Sequence, residues 1–143
     1  MGILACLRAA FLEYRREYAA DAFIDTVLTP ELLETRLSKS TAFVAIEATQ
    51  LVVGTVSCSQ VNEQEGHIRG MAVRPEWQGA GVAPQLLQRV ESELRDRKCL
   101  RVSLDTTEPL QRAMRFYERN GYQRSGKVTD FFGMTLIEYT KHL

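Results

Sequence analysis

Apolar residues recur along this chain in two periods, and the switches between them mark its elements. Ile3, Leu7, Phe11, Tyr14 and Tyr18 step by three and four, which predicts an amphipathic helix over residues 3–20. Thr29-Pro30-Glu31 reads as a helix start, with threonine as N-cap and proline in the first turn, so a short helix is expected over 30–38. Residues 41–47 and 51–60 are β-rich runs split by Ala48-Thr49-Gln50 and predict a hairpin. After a polar turn at 62–66, residues 67–73 read as a strand that stops at Arg74-Pro75. Leu86, Leu87, Val90 and Leu94 then return to helical spacing, which predicts a helix over 82–98. Residues 100–106 alternate Leu, Val, Leu with Arg, Ser, Asp, a strand with unlike faces. Pro109 opens another helix, and Asn120-Gly121 supplies its left-handed stop. Residues 122–129 and 132–140 read as a closing antiparallel pair. With no repeat, linker or low-complexity tract, the pattern predicts one domain, 1–143, of α+β class around a mixed sheet.

Composition narrows the function without naming it. A chain of 143 residues, 45% hydrophobic and 25% charged, suits one soluble core. Eighteen basic and eighteen acidic side chains cancel, which argues against nucleic-acid binding through a broad basic surface. Cys6, Cys58 and Cys99 are far apart and show no metal-ligand spacing. They read as buried free thiols of a reducing compartment, with no metal site expected. The apolar start at Gly2 is interrupted by Arg8, too early for a signal peptide or a membrane span, and Met1-Gly2 lacks the hydroxyl residue of a myristoylation site. A cytoplasmic protein without membrane contact is the expectation.

The most informative stretch joins the strand at 67–73 to the helix at 82–98 through Gln78-Gly79-Ala80-Gly81-Val82-Ala83. Strand, glycine turn and helix start form the geometry that cradles a phosphate. The first N–H groups of a helix have no intrahelical acceptor, the helix dipole adds positive potential, and glycines admit the anion closely. A P-loop would close this turn with Gly-Lys-Ser/Thr, and the chain has Gly81-Val82-Ala83. A dinucleotide fingerprint would place a third glycine where Pro84 stands, and would come early rather than halfway along. The turn does match the pyrophosphate loop of acetyl-CoA-dependent acyltransferases, Gln/Arg-x-x-Gly-x-Gly/Ala.

Downstream lies Ala113-Met114-Arg115-Phe116-Tyr117-Glu118-Arg119-Asn120-Gly121-Tyr122. Together with the glycine turn and the strand text Arg69-Gly70-Met71-Ala72-Val73-Arg74-Pro75, this segment resembles the GNAT N-acetyltransferase superfamily, from about Thr41 to the C-terminus. The resemblance implies a mixed, mostly antiparallel sheet flanked by helices. It implies acetyl-CoA as co-substrate and direct attack of a primary amine on the thioester. Backbone amides of Gln78, Gly79, Ala80, Gly81, Val82 and Ala83 would meet the pyrophosphate. Met71, Ala72 and Val73 would hold the pantetheine arm where the family's fourth and fifth strands splay, with an N–H near Met71 facing the thioester carbonyl. Tyr117 matches the tyrosine that faces the CoA sulfur. A phenol, ordinarily of pKa about 10, is protonated at neutral pH and can stabilise a departing thiolate.

Three departures from the family pattern accompany this likeness. Many relatives carry a glutamate base where this chain has Arg69, and arginine is no base at working pH. His67, Glu65 or a water chain are the alternatives, while Arg69 is either a solvated residue or a binder of an acceptor carboxylate. The family's asparagine three positions before Ala113 is Leu110 here. The first residues read as helix where the family begins with a strand. A sheet lacking that strand would have an edge to cover, and a homodimer is one way to cover it. Trp77 pins the turn or stacks near the adenine. Glu13, Glu17, Asp21 and Asp25 form either a solvated face or an acidic acceptor groove. The acceptor is expected to be a small-molecule or peptide amine. The rival expectation is a non-catalytic CoA-binding, sensory domain on the same scaffold.

Overall fold

A computed structural model describes residues 2–143. Helix α1 (Gly2–Phe11) runs into a 3-10 turn at Leu12–Glu17, followed by α2 (Ala20–Val27) and α3 (Pro30–Lys39). Strands β1 (Thr41–Ile46), β2 (Val52–Gln60) and β3 (Glu65–Val73) form a meander, and α4 (Val82–Asp96) leads to β4 (Arg101–Thr107). Helix α5 (Gln111–Arg119) precedes the closing hairpin of β5 (Gln123–Phe131) and β6 (Met134–His142). The six strands lie in the order β1-β2-β3-β4-β6-β5, and only β3 and β4 pair in parallel. This is the mixed, mostly antiparallel sheet the sequence predicts. A helix is the first described element, and no strand pairs with the outer side of β1 among the described residues.

The single helix expected over 3–20 is instead α1, a 3-10 turn and then a second helix, α2, that the sequence reading missed. Tertiary contact overrides the periodicity. Tyr18, 8% exposed, turns inward and shares a 2.6 Å hydrogen bond with the Thr107 hydroxyl at the end of β4, so the chain bends there. Helix α3 starts as expected, with the Thr29 hydroxyl accepting from the Leu32 N–H.

Two apolar clusters hold the sheet. The larger packs α4 and α5 against one face through Leu86, Val90, Leu94, Val102, Leu104 and Met114. The smaller seats α1 and α3 on the other face through Cys6, Leu7, Ala10, Leu33 and Ala72. Helices thus lie on both faces of the sheet, whereas the alternation along β4 by itself predicts only one apolar face. All three cysteines are buried and free. Within the larger cluster the Glu91 carboxylate is itself buried, accepting from the Tyr122 hydroxyl at 2.6 Å and from Lys141 Nζ at 3.1 Å. No described helix is long and apolar enough to cross a membrane.

Candidate active site

The site is made by a fork in the sheet. β3 and β4 pair only over Glu65–Ile68 and Arg101–Leu104. Beyond that point β3 continues along β2, with Arg69 opposite Ser57 and Val73 opposite Gly54. β4 continues along β6, with Asp105 opposite Glu138 and Thr107 opposite Leu136. The register of β2 and β3 slips between Thr55 and Ser57, where Gly70 adopts φ +68. The bulge bends β3 away from β4, and glycine supplies the left-handed backbone it needs. The edge of β3 around Met71, Ala72 and Val73 is left without a strand partner on the β4 side. A cleft of about 910 Å³ fills the fork.

The glycine turn closes one end of this cleft. Gly79 and Gly81 have φ of +81 and +86, and Gly81 is the left-handed N-cap of α4. A Cβ built on Gly79 would meet nothing within 4 Å, and one on Gly81 only the Gln85 amide nitrogen at 3.8 Å. The space over the loop is open. Of the six residues expected to present amides, two are committed internally: Gln78 N–H donates to the Pro75 carbonyl and Ala80 N–H to that of Trp77. The N–H groups of Gly79, Gly81, Val82 and Ala83 find no acceptor in the turn among the described residues. Pro84 follows and has no N–H to leave unpaired. Four free donors at the positive end of a 15-residue helix leave a positively polarised cradle of the kind that suits an anion. The Gln78 side chain braces the turn by donating to the Val73 carbonyl at 3.3 Å. Trp77 is half-buried against the larger core, and Arg74 is tied to the Val52 carbonyl at 2.8 Å.

Tyr117 lies on α5 along the same cleft. Its ring packs edge-on against Phe116 and Tyr122, with centroids 5.4 and 5.6 Å away. Its hydroxyl bonds to no described residue, while burial raises its pKa well above the ordinary phenol value, so the proton stays on Oη. The Thr106 hydroxyl, on the fork side of β4, is buried with no partner and also lines the cleft. A buried, unpaired polar atom beside an open cleft suits a polar occupant. Leu110 lines the cleft as well, and the Gln111 side-chain amide donates to the Glu108 carbonyl at 2.6 Å. Neither Glu108 nor Gln111 lines the cleft beside Leu110.

The two candidate bases separate. Glu65 lies at the paired end of β3, bound to Arg101 at 3.1 Å and outside the cleft. Sequence position put it near the site, but its place at the far end of the paired stretch, opposite Arg101, takes it away. His67 lines the cleft. Its Nδ1 is 2.9 Å from the buried Ser103 hydroxyl and its Nε2 is 3.7 Å from an Asp105 carboxylate oxygen. Burial lowers the pKa of His67, which the Asp105 charge partly offsets; burial raises that of Asp105, offset by His67. The sequence reading missed Ser103 and Asp105. The signal was there in the alternation of β4 combined with parallel pairing, which sets His67 directly across from Ser103.

Three further groups line the same cleft. Arg69 binds Asp25 at 3.0 Å, and Arg36 donates to the Asp25 main-chain carbonyl at 3.3 Å. Arg112 ties α5 to the 3-10 turn through Glu13 at 2.6 Å and the Tyr14 hydroxyl at 3.3 Å. The acidic run is thus divided: Glu13 and Asp25 are engaged by arginines rather than forming an open acidic groove.

Solved structures share this architecture. An acetyltransferase of the GNAT family from Staphylococcus aureus Mu50 superposes with a TM-score of 0.79 at 17% identity, over 99% of this chain and 91% of its own. An acetyltransferase from Streptococcus agalactiae 2603 gives 0.78 at 20% identity, over 99% and 90%. The PaiA N-acetyltransferase of Thermoplasma acidophilum, crystallised in complex with coenzyme A, gives 0.75 at 15% identity, over 99% and 91%. At these identities the likeness speaks for the fold. Membership rests on the sequence itself: the model of the acetyltransferase (GNAT) family matches residues 4–122, and the chain belongs to that family.

Proposed function

We propose that this protein transfers the acetyl group of acetyl-CoA to a primary amine, with no covalent enzyme intermediate. One observation carries the reading: four unpaired main-chain N–H groups at the start of α4 and the unpartnered Tyr117 hydroxyl open onto a single cleft. CoA-bound relatives of the same fold support it.

Acetyl-CoA supplies an acyl group already activated as a thioester. Gly79, Gly81, Val82 and Ala83 bind its diphosphate through main-chain N–H groups, and the free edge of β3 at Met71, Ala72 and Val73 holds the pantetheine arm. Tyr117 holds a proton at Oη for the leaving sulfur. His67 stays neutral to lower pH than an ordinary histidine because of its burial. With Nδ1–H donating to the Ser103 hydroxyl, Nε2 is left to accept the amine proton, and Asp105 stabilises the resulting imidazolium. Glu65, turned to Arg101, takes no part.

A second reading, a CoA-binding domain without turnover, draws on Leu110 standing where the family places asparagine. Calorimetry with CoA and thiol release over a panel of amines, amino acids, peptides and aminoglycosides separate the two. CoA binding with release on at least one acceptor supports the enzyme. Binding with no release on any supports the sensor, and no CoA binding removes both.

A further inference from the structure

We propose that the acceptor is an amino acid whose carboxylate is clamped by Arg36 and Arg69 beside His67. The inference rests on the acetyltransferase reading and names the acceptor class of that same cleft. His67 and Arg69 project from one face of β3 two residues apart, a spacing of about 7 Å. Arg36 reaches the same point from α3: its Nη1 would stand 3.4 Å from a Cβ on Gly70. The two guanidiniums share one carboxylate, Asp25, which pairs directly with Arg69 at 3.0 Å and offers Arg36 only its main-chain carbonyl. Arg36 thus has no carboxylate of its own in contact, while Asp105, near His67, is the second acidic group that faces Arg69. Burial and the adjacent Arg69 charge lower the Arg36 pKa to about 10, which the Asp25 charge partly offsets.

The position of the pair also fits. Asp25, Arg36, His67 and Arg69 line both the main cleft and a second recess of about 350 Å³, so the guanidiniums stand where the two join. Lys39 lines the recess too and adds positive potential. A small molecule with its amine at His67 Nε2 and its carboxylate at this junction satisfies both groups at once. Planar guanidiniums are suited to carboxylates, since two parallel N–H donors match two oxygens. A simple amine without an acid group leaves Arg36 with no carboxylate in contact.

The test uses glycine, β-alanine, L-leucine and L-phenylalanine, each against its carboxamide. Arginine Nε–H resonances report binding in the CoA-free and CoA-saturated protein, and thiol release reports turnover. The acids are expected to shift the Arg36 and Arg69 signals saturably and to be acetylated in preference to their amides. Arg69→Gln, at a half-exposed position, should raise the Kd and KM for the acid roughly ten- to hundredfold and bring the acid-to-amide ratio towards one. Asp25→Asn should act in the opposite direction and tighten acid binding, which a purely structural role for the cluster would not produce. Equal binding of acids and amides, no shift with either, or an unchanged ratio in Arg69→Gln overturns the clamp. Failure of CoA to bind in parallel calorimetry would instead strike the acetyltransferase reading, while the CoA-free titration still decides the clamp.

Discussion

Replacing Tyr117 by phenylalanine separates catalysis from folding with one oxygen atom. The ring contacts with Phe116 and Tyr122 survive the change, and the lost hydroxyl has no hydrogen-bond partner among the described residues. Deleting an unpaired polar atom leaves no orphan behind. Stability should therefore stay within about 0.5 kcal/mol of the parent, a melting shift of roughly 1–2 °C for a chain of this size. Loss of the proton held for the leaving sulfur should lower kcat on the order of tenfold to a thousandfold, or about 1.4–4 kcal/mol of barrier. The CoA dissociation constant should not change, because the diphosphate donors lie on the turn before α4. Thiol release at saturating acetyl-CoA, calorimetry with CoA and a thermal melt measure the three quantities on one preparation. A kcat within twofold of the parent refutes the role of Tyr117, and a drop of many degrees in melting temperature refutes the claim that its hydroxyl is idle in folding.

Gly81→Ala places a side chain at φ +86, a strain of about 1–2 kcal/mol, but its Cβ has space. The variant should fold with a melting point a few degrees lower and bind CoA at least tenfold more weakly by calorimetry. His67→Gln should reduce kcat/KM by roughly 10²–10⁴. In the parent, burial holds the His67 pKa below the ordinary value of 6.5, so activity should be kept to below that pH and lost as pH falls through the lowered pKa. The pH profile of the variant should retain only the limb of the acceptor amine itself. Glu91→Ala strands the buried Tyr122 hydroxyl and removes the partner of the part-exposed Lys141, and should cost about 1–3 kcal/mol in urea unfolding.

Elements with strong local signals were legible from the sequence. The Thr29 cap, the glycine turn and the 3.6-residue stripe of α4 each act within a few residues, so their positions follow from text alone. The break between α1 and α2 was not legible, because it depends on Tyr18 meeting Thr107 across 89 residues. The site divides along the same line. Tyr117 and the turn amides belong to contiguous motifs, while the setting of His67 is assembled by strand pairing. Glu65 and His67 are sequence neighbours of similar promise. Their distance from the fork separates them: Glu65 meets Arg101 at the far end of the paired stretch, while His67 lies next to the opening.

The narrow junction between β3 and β4 divides the work of the molecule. Four residue pairs join a three-stranded half carrying the glycine turn and Arg69 to a three-stranded half leading into the helix of Tyr117. Outside that junction the two halves share no strand pairing among the described residues. Changes on the α3 side of the first wall can therefore reshape what enters without unseating the proton donor on the other, whereas His67, on β3 and bonded to Ser103 of β4, ties the proposed base to both halves.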